Sequence, residues 1–261
     1  MIWVGLVGLV VAACCAYLAR TANTRARAME STETLPVREL RALHEAAAEA
    51  AGPGHFRHRC EVVGQALPHE SGVLRSELEN QECVWHRHRI TRRYEESYRN
   101  GTGSSRRRRT GTEVVAQNSS TTAFFVEDGT GRMVVRPGNE EFIGAEKVLD
   151  RFEPHTGNGN RLTLGPVSLD LGGGDGTIGY RREEWIVRPG SRTYVLGEAS
   201  DAGGRLALGA PVEGGVFVLS AKSEEELLRA ENHRVLGYGV GSGLAALVGF
   251  ALVVLDILHR R

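Results

Sequence analysis

Two uncharged stretches at opposite ends of the chain constrain its architecture more than anything between them. From Ile2 to Ala19 the sequence IWVGLVGLVVAACCAYLA carries no charge, and roughly 18 residues rising about 1.5 Å each cross a hydrocarbon core of about 30 Å. From Val235 to Leu255 runs VLGYGVGSGLAALVGFALVVL, also uncharged, followed by Asp256, His259, Arg260 and Arg261, groups suited to a headgroup layer. Glycine is tolerated in such a span because a helix satisfies its own backbone in lipid. Roughly 215 residues lie between, too polar for a bilayer and numerous enough to bury a core. The sequence predicts two transmembrane helices with both termini on one side and a folded domain on the other.

The first stretch has competing readings. A cleaved signal peptide carries a basic segment ahead of its apolar run, and none precedes Ile2. Val11-Ala12-Ala13-Cys14 also reads as a lipobox, which would leave Cys14 as a lipidated terminus. Arg20, Arg25, Arg27, Arg229 and Arg234 on the domain side outnumber Arg260 and Arg261 on the other, and this bias favours a cytoplasmic domain. The lack of a mitochondrial presequence, with a composition rich in Gly, Ala and Arg, suggests a bacterial plasma membrane. Cys60 and Cys83 have two readings, a bridge in an oxidising compartment or two buried thiols. A formal net charge of zero argues against nucleic acid as partner.

Boundaries follow from changes of texture. Residues 1–19 form the first span, 20–54 a polar linker and a short amphipathic helix, 55–222 a β-domain, 223–234 a membrane-proximal helix and 235–258 the second span. In the short helix Leu35, Leu40, Leu43 and Ala47 share a face, Thr34 is the expected N-cap, and Gly52-Pro53-Gly54 stops it. From His55 on, branched and aromatic clusters alternate with Gly, Pro, Asp and Asn, the texture of a mainly antiparallel β-domain, sandwich or barrel. Asp128-Gly129-Thr130-Gly131 supplies the left-handed positions of a tight hairpin, and Arg188-Pro189-Gly190-Ser191 a second reversal. Asn100 to Thr112 and Leu169 to Gly179 read as loops. Ser223 followed by three glutamates starts the last helix.

The segment ECVWHRHRITRRYEE, Glu82 to Glu96, concentrates reactive side chains on one strand. His86 and His88 point the same way, a workable start for a zinc site, but no third ligand of suitable spacing follows, so no metal or cofactor is expected. The alternative is a strand with His86, His88 and Ile90 on one face and Trp85, Arg87 and Arg89 on the other, their stems covering apolar surface. GGGDGTIG lacks the Lys-Ser/Thr and the strand-to-helix context of a phosphate loop. No nucleophile elbow, His-Glu-x-x-His or paired-carboxylate pattern is present, so no catalytic residue is expected. The run Arg92, Arg93, Arg106, Arg107, Arg108 and Arg109 is the candidate contact for a protein partner or anionic lipid. Gly237, Gly239, Gly241 and Gly243 have small-xxx-small spacing, suited to packing against the first span or to a homo-oligomer through the second.

Taken in order, several segments resemble the GIDE domain, also called the beside-a-membrane (BAM) domain, of MULAN-type RING E3 ubiquitin ligases. They are Val62-Val63-Gly64 with Leu74 and Ser76; Cys83-Val84-Trp85 with Arg87; Phe125 with Asp128, Gly131 and Val134-Val135; Glu184-Trp185-Ile186; Tyr194-Val195-Leu196-Gly197-Glu198; and Phe217-Val218-Leu219-Ser220 with Glu226-Leu227. The resemblance spans about Arg57 to Leu228 and both flanking spans. Ser76-Glu77-Leu78 replaces the family's Ser-Pro-Leu, and His86 stands where an aromatic is common. The resemblance implies structural roles for Cys83, Trp85, Arg87, Asp128, Gly131, Trp185, Tyr194, Gly197 and Glu198. In the ligase relatives a RING follows the second span and needs eight Cys or His ligands for two zinc ions; this sequence ends at Arg261 without them.

The expectation is a membrane-anchored sensing or partner-docking protein, non-catalytic, with an unknown protein partner. Two alternatives stand beside it: an E3 ubiquitin-transferase-like protein acting only with a separate catalytic subunit, and an anionic-lipid-binding module.

Overall fold

A computed structural model describes residues 2–99, 106–155, 161–164, 167–170 and 176–259. The described residues form three helices, α1 (Ile2–Ser31), α2 (Val37–Ala51) and α3 (Glu224–His259). Between α2 and α3 the regular elements among the described residues are strands. Its strands are β1 (Arg57–Pro68), β2 (Leu74–Arg75), β3 (Glu82–Cys83), β4 (Trp85–Arg99), β5 (Arg106–Ser119), β6 (Phe124–Glu127), β7 (Arg132–Val135) and β8 (Phe142–Ile143). They continue with β9 (Glu146–Pro154), β10 (Arg161–Leu164), β11 (Val167–Asp170), β12 (Thr177–Val187), β13 (Arg192–Ser200), β14 (Ala207–Gly209) and β15 (Val218–Ser220).

Five of these strands close on themselves. β1 pairs with β6, β6 with β7, β7 in parallel with β14, β14 with β13, and β13 returns to β1 from Arg57↔Ser200 to Gln65↔Arg192. Counted along the chain, the barrel strands close in the order first, second, third, fifth, fourth, the circuit of an OB-type Greek-key barrel. Closure removes free edges, and apolar side chains alternate inward: Cys60, Val62 and Ala66 of β1, Phe124 and Val126 of β6, and Val195 and Ala199 of β13 are all fully buried. A second sheet, β5-β4-β12-β9, is built from segments inserted between barrel strands. The chain is therefore mainly antiparallel β between two apolar helices, with β7–β14 and β8–β15 as parallel exceptions.

α2 plugs the barrel with Val37 and Leu40, both 0 % exposed, and its neighbour Leu35. Leu43, expected on the same face, is 41 % exposed. The expected cap is also different. Pro36 occupies the N-cap position without a side-chain bond, while Thr34 donates to Glu61 Oε2 at 3.0 Å. The α2 amides are served from a distance, by Asp128 Oδ2 to Val37 N (2.7 Å) and Thr130 Oγ1 to Arg38 N (3.1 Å). Proline has no amide hydrogen and no side-chain acceptor, so a local cap gives way to a tertiary one.

Several linker and loop expectations change. Helix α1 continues through the expected linker to Ser31, since Ala, Arg, Met and Glu favour a helix once it has begun. Arg106 to Thr112, expected as loop, lie in β5, held by cross-strand pairing from Arg99↔Arg106 to Arg93↔Thr112. Of the glycine-dense segment, residues 169–170 fall in β11 and 177–179 in β12; residues 171–175 lie outside the described residues. At α3, Glu226 N bonds Ser223 Oγ (3.3 Å) and Ser223 N bonds Glu226 Oε2 (3.1 Å), a capping box.

Helices α1 and α3 are long and apolar enough to cross a membrane and pack against each other. Their closest approach is at Gly5, Gly8 and Gly249; a Cβ on Gly249 would stand 2.9 Å from Gly5 O. Gly237, Gly239, Gly241 and Gly243, the expected contact, would meet nothing within 4 Å. The small-residue contact between the helices is therefore made by Gly5, Gly8 and Gly249 instead. At the other end, Met29 of α1 and Leu227 of α3 pack with Tyr194, Leu196 and Val218, fastening the helix pair to the barrel wall.

Candidate functional site

Strand β12 is central in the second sheet, and alternation sends Trp185 to one face and Glu184 to the other. Trp185 faces Arg87 on β4 and Lys147 on β9 in register. Lys147 Nζ lies 5.0 Å from the ring centroid, and the Arg87 and Arg89 guanidiniums 5.9 Å each, so three cations surround one indole. Arg87 also pairs with Glu141. Trp85, at the start of β4, is 1 % exposed, and its ring stands 5.7 Å from that of Phe142. Trp85, Arg87, Glu141 and Trp185, with the β8 segment, line a cavity of about 280 Å³. Its size suits an amino-acid side chain better than a large cofactor. Its walls join apolar rings to an Arg–Glu pair.

The opposite face carries a polar network around Glu184. Glu184, 0 % exposed, accepts from Ser76 Oγ (2.9 Å), Leu78 N (2.8 Å) and Glu79 N (2.9 Å). His88 Nδ1 lies 3.0 Å from Glu77 Oε2, and burial pushes the His86 imidazole below its ordinary pKa despite the Glu77 and Glu184 carboxylates nearby. Among the described residues no three His, Cys, Asp or Glu side chains come together as a metal-ligand set. Cys60 and Cys83 are free and buried, and burial pushes both thiols up to about 12, which disfavours the thiolate at neutral pH.

The other residues on which the resemblance rests are dispersed. Asp128 Oδ1 accepts from Thr130 N, Thr130 Oγ1 and Gly131 N while Oδ2 holds α2; burial opposes its charge, but these bonds prevail and keep the carboxyl below its usual range. At Gly131 a Cβ would come within 3.1 Å of Val37 Cγ1, and at Gly197 within 2.5 Å of Gly209 O. Glu198 sits half-buried on β13 opposite Gly209. Tyr194 donates to Glu61, whose carboxyl burial raises against the pull of this bond and that from Thr34. These groups hold the barrel, its plug and its helices together.

On the β4–β5 hairpin, Arg92 approaches Glu113 (3.7 Å) and Arg108 approaches Glu95 (3.4 Å), while Arg93 and Arg109 are exposed. The side chains of Arg106 and Arg107 lie outside the described residues. Arg92, Arg93, Arg108 and Arg109 are not among the residues that line the Trp85–Trp185 cavity.

Sequence reasoning passed over Glu141 and Phe142 at the cavity, Lys147 over the Trp185 ring, and Glu61 and Asp201 in the supports. Asp201 accepts from Gly54 N (2.8 Å) and Phe56 N (3.0 Å) and contacts His44 Nε2 at 3.1 Å. Glu61 did carry a signal, as a lone carboxylate in the apolar run Cys60-Glu61-Val62-Val63. Glu141 and Lys147 carried none, since isolated charges near turns are ordinary.

The fold is a β-barrel domain set between two long apolar helices. Comparison with known families adds that the model of the GIDE family, described as E3 ubiquitin ligase, matches residues 93–255. The chain belongs to the GIDE family. The match takes in Trp185, Tyr194 and most of α3, and begins after the Cys83–Trp85 segment. No curated protein and no solved structure matches the chain.

Proposed function

We propose that this protein is an integral membrane GIDE protein of a bacterial plasma membrane, whose barrel domain docks a protein partner on the cytoplasmic side without itself catalysing a reaction. The observation that carries the reading is the convergence of Trp85, Arg87 and Trp185 with Phe142 and Glu141 on one small cavity. A partner side chain entering there meets aromatic walls and an arginine that can exchange Glu141 for a partner carboxylate. Arg93, Arg108 and Arg109, farther along the β4–β5 hairpin, add positive charge that would steer an acidic partner toward the domain.

The family description supports a partner connected with ubiquitin-type transfer. This chain's cysteines, two in α1 and two buried in the domain, offer no reactive thiol there, so any transfer would run on a separate catalytic subunit. The test is cross-linking of the full-length protein in its native membrane, comparing wild type with Arg87→Ala, Trp185→Ala and Arg108→Gln/Arg109→Gln. A recurrent partner whose yield falls several-fold in the first two variants is expected. Self-cross-links alone would overturn the docking reading, and ubiquitin transfer by the purified chain with charging and conjugating enzymes would overturn the non-catalytic one.

A further inference from the structure

Where α1 and α3 leave the domain, a cleft of about 380 Å³ opens between them, walled by Leu18, Thr21 and Arg25 on one helix and Glu231, Arg234 and Tyr238 on the other. Its depth is set by the sequence. The uncharged run of α1 ends at Ala19 and that of α3 begins at Val235, so one end of the cleft is apolar and the other carries guanidiniums. Arg234 is held by Glu231 at 2.9 Å, and that carboxylate is itself 6 % exposed. Glu231 thus orients the guanidinium, leaving the half-exposed Arg234 side chain facing the cleft that both residues line. Arg25 stands exposed on the facing wall, and Tyr238, half-buried, places a phenol at the level where amphipathic rings favour a membrane interface.

We propose that this cleft binds the phosphodiester headgroup of an anionic phospholipid. Arg25 and Arg234 take the phosphate oxygens, a geometry guanidinium forks match. The Tyr238 hydroxyl donates to the headgroup, and an acyl chain descends past Leu18. Basic pockets between membrane helices recognise such headgroups by this combination of charge and depth. A free phosphate would use the guanidiniums but leave the apolar end empty. The inference rests on the reading of α1 and α3 as membrane-inserted. It has a consequence for docking: Met29 and Leu227, at the domain ends of the same helices, pack on the barrel, so a headgroup between the helices would help set how the domain stands on the membrane.

The test uses the full-length protein in nanodiscs of phosphatidylglycerol or phosphatidylcholine, with bound lipid read by native mass spectrometry. Phosphatidylglycerol is expected to be retained about tenfold more strongly than phosphatidylcholine. That preference should vanish in Arg25→Gln/Arg234→Gln and persist in Arg229→Gln, an exposed arginine on α3 paired with Glu225. Matching thermal midpoints for the variants show that folding is intact. Equal retention of the two lipids, or a preference surviving the double variant, would overturn the proposal. Displacement by millimolar inorganic phosphate would assign the cleft to free phosphate and overturn the lipid assignment. Release of the native protein from membranes by alkaline carbonate would overturn membrane insertion and this inference together, whereas retention without lipid preference sinks the inference alone.

Discussion

Glu184 supports more of the domain than its place in an unremarkable strand suggests. It is a fully buried carboxylate whose three acceptor bonds end on the segment just before β3. Glu184→Ala would leave two amides and a hydroxyl without their acceptor, and a loss of about 2–4 kcal/mol is expected. Guanidinium unfolding followed by tryptophan emission measures it, because Trp185 is the next residue; an unchanged midpoint would show that the segment holds without the acid. His86 makes a pH-dependent contribution. Its imidazole is buried and its pKa depressed, so the folded state resists a proton that the unfolded chain accepts at about pH 6.5. That stability is present above about pH 6.5 and is lost as pH falls through the folded value. His86→Phe, which removes the titrating group and keeps a ring there, should flatten the stability profile below pH 6.5, read as thermal midpoint against pH. The strand alternation of Trp85 and Arg87 against His86 and His88 was legible from sequence because a period of two requires it. What each face met was not, because Phe142, Lys147 and Ser76 arrive from distant segments.

The coupling of α2 to the β6–β7 turn is a relation between elements. Asp128 satisfies the first amide of a helix some 91 positions away in sequence, and its depressed pKa means that its contribution is present above about pH 4 and fades as pH falls through the folded value. Asp128→Ala should destabilise by about 1–2 kcal/mol at neutral pH, with the difference from wild type shrinking in acid. Amide exchange at Val37 and Arg38 is the sensitive reading, and unchanged protection there would show that α2 is held by packing alone. In the helix pair, Gly249→Val would drive a side chain into α1 backbone at Gly5 and Gly8, whereas Gly241→Val points into open space. The first should lower the thermal midpoint in detergent and the second should leave it unchanged; equal effects would mean that the two helices pack through another face. Glycine spacing alone does not say which side of a helix meets its neighbour, since the choice depends on the rotation imposed where Met29 and Leu227 lock onto the barrel.

At the scale of the molecule, closure is the cooperative event. β1 joins β13 and β6 at once, and Gly64 stands where a Cβ would lie 2.3 Å from Glu127 O, on the β1–β6 seam. Gly64→Ala should therefore open the barrel locally and lower the thermal midpoint by on the order of 10 °C, measured by near-ultraviolet circular dichroism; a shift within error would mean that the seam can relax. By itself the sequence determined the two apolar helices, the β texture of the middle, the turns at Gly129 and Gly190 and the resemblance to the GIDE family, because length, hydrophobic period and left-handed turn positions are local properties of a chain. Only the tertiary structure decided which strands close the barrel, that Asp128 caps α2 in place of Thr34, that Gly5, Gly8 and Gly249 rather than Gly237 to Gly243 bring the helices together, and that Trp85, Arg87 and Trp185 share a cavity. Each is a pairing of residues far apart in sequence, set by the burial of apolar surface and the satisfaction of buried polar groups over the whole fold, which no local window contains.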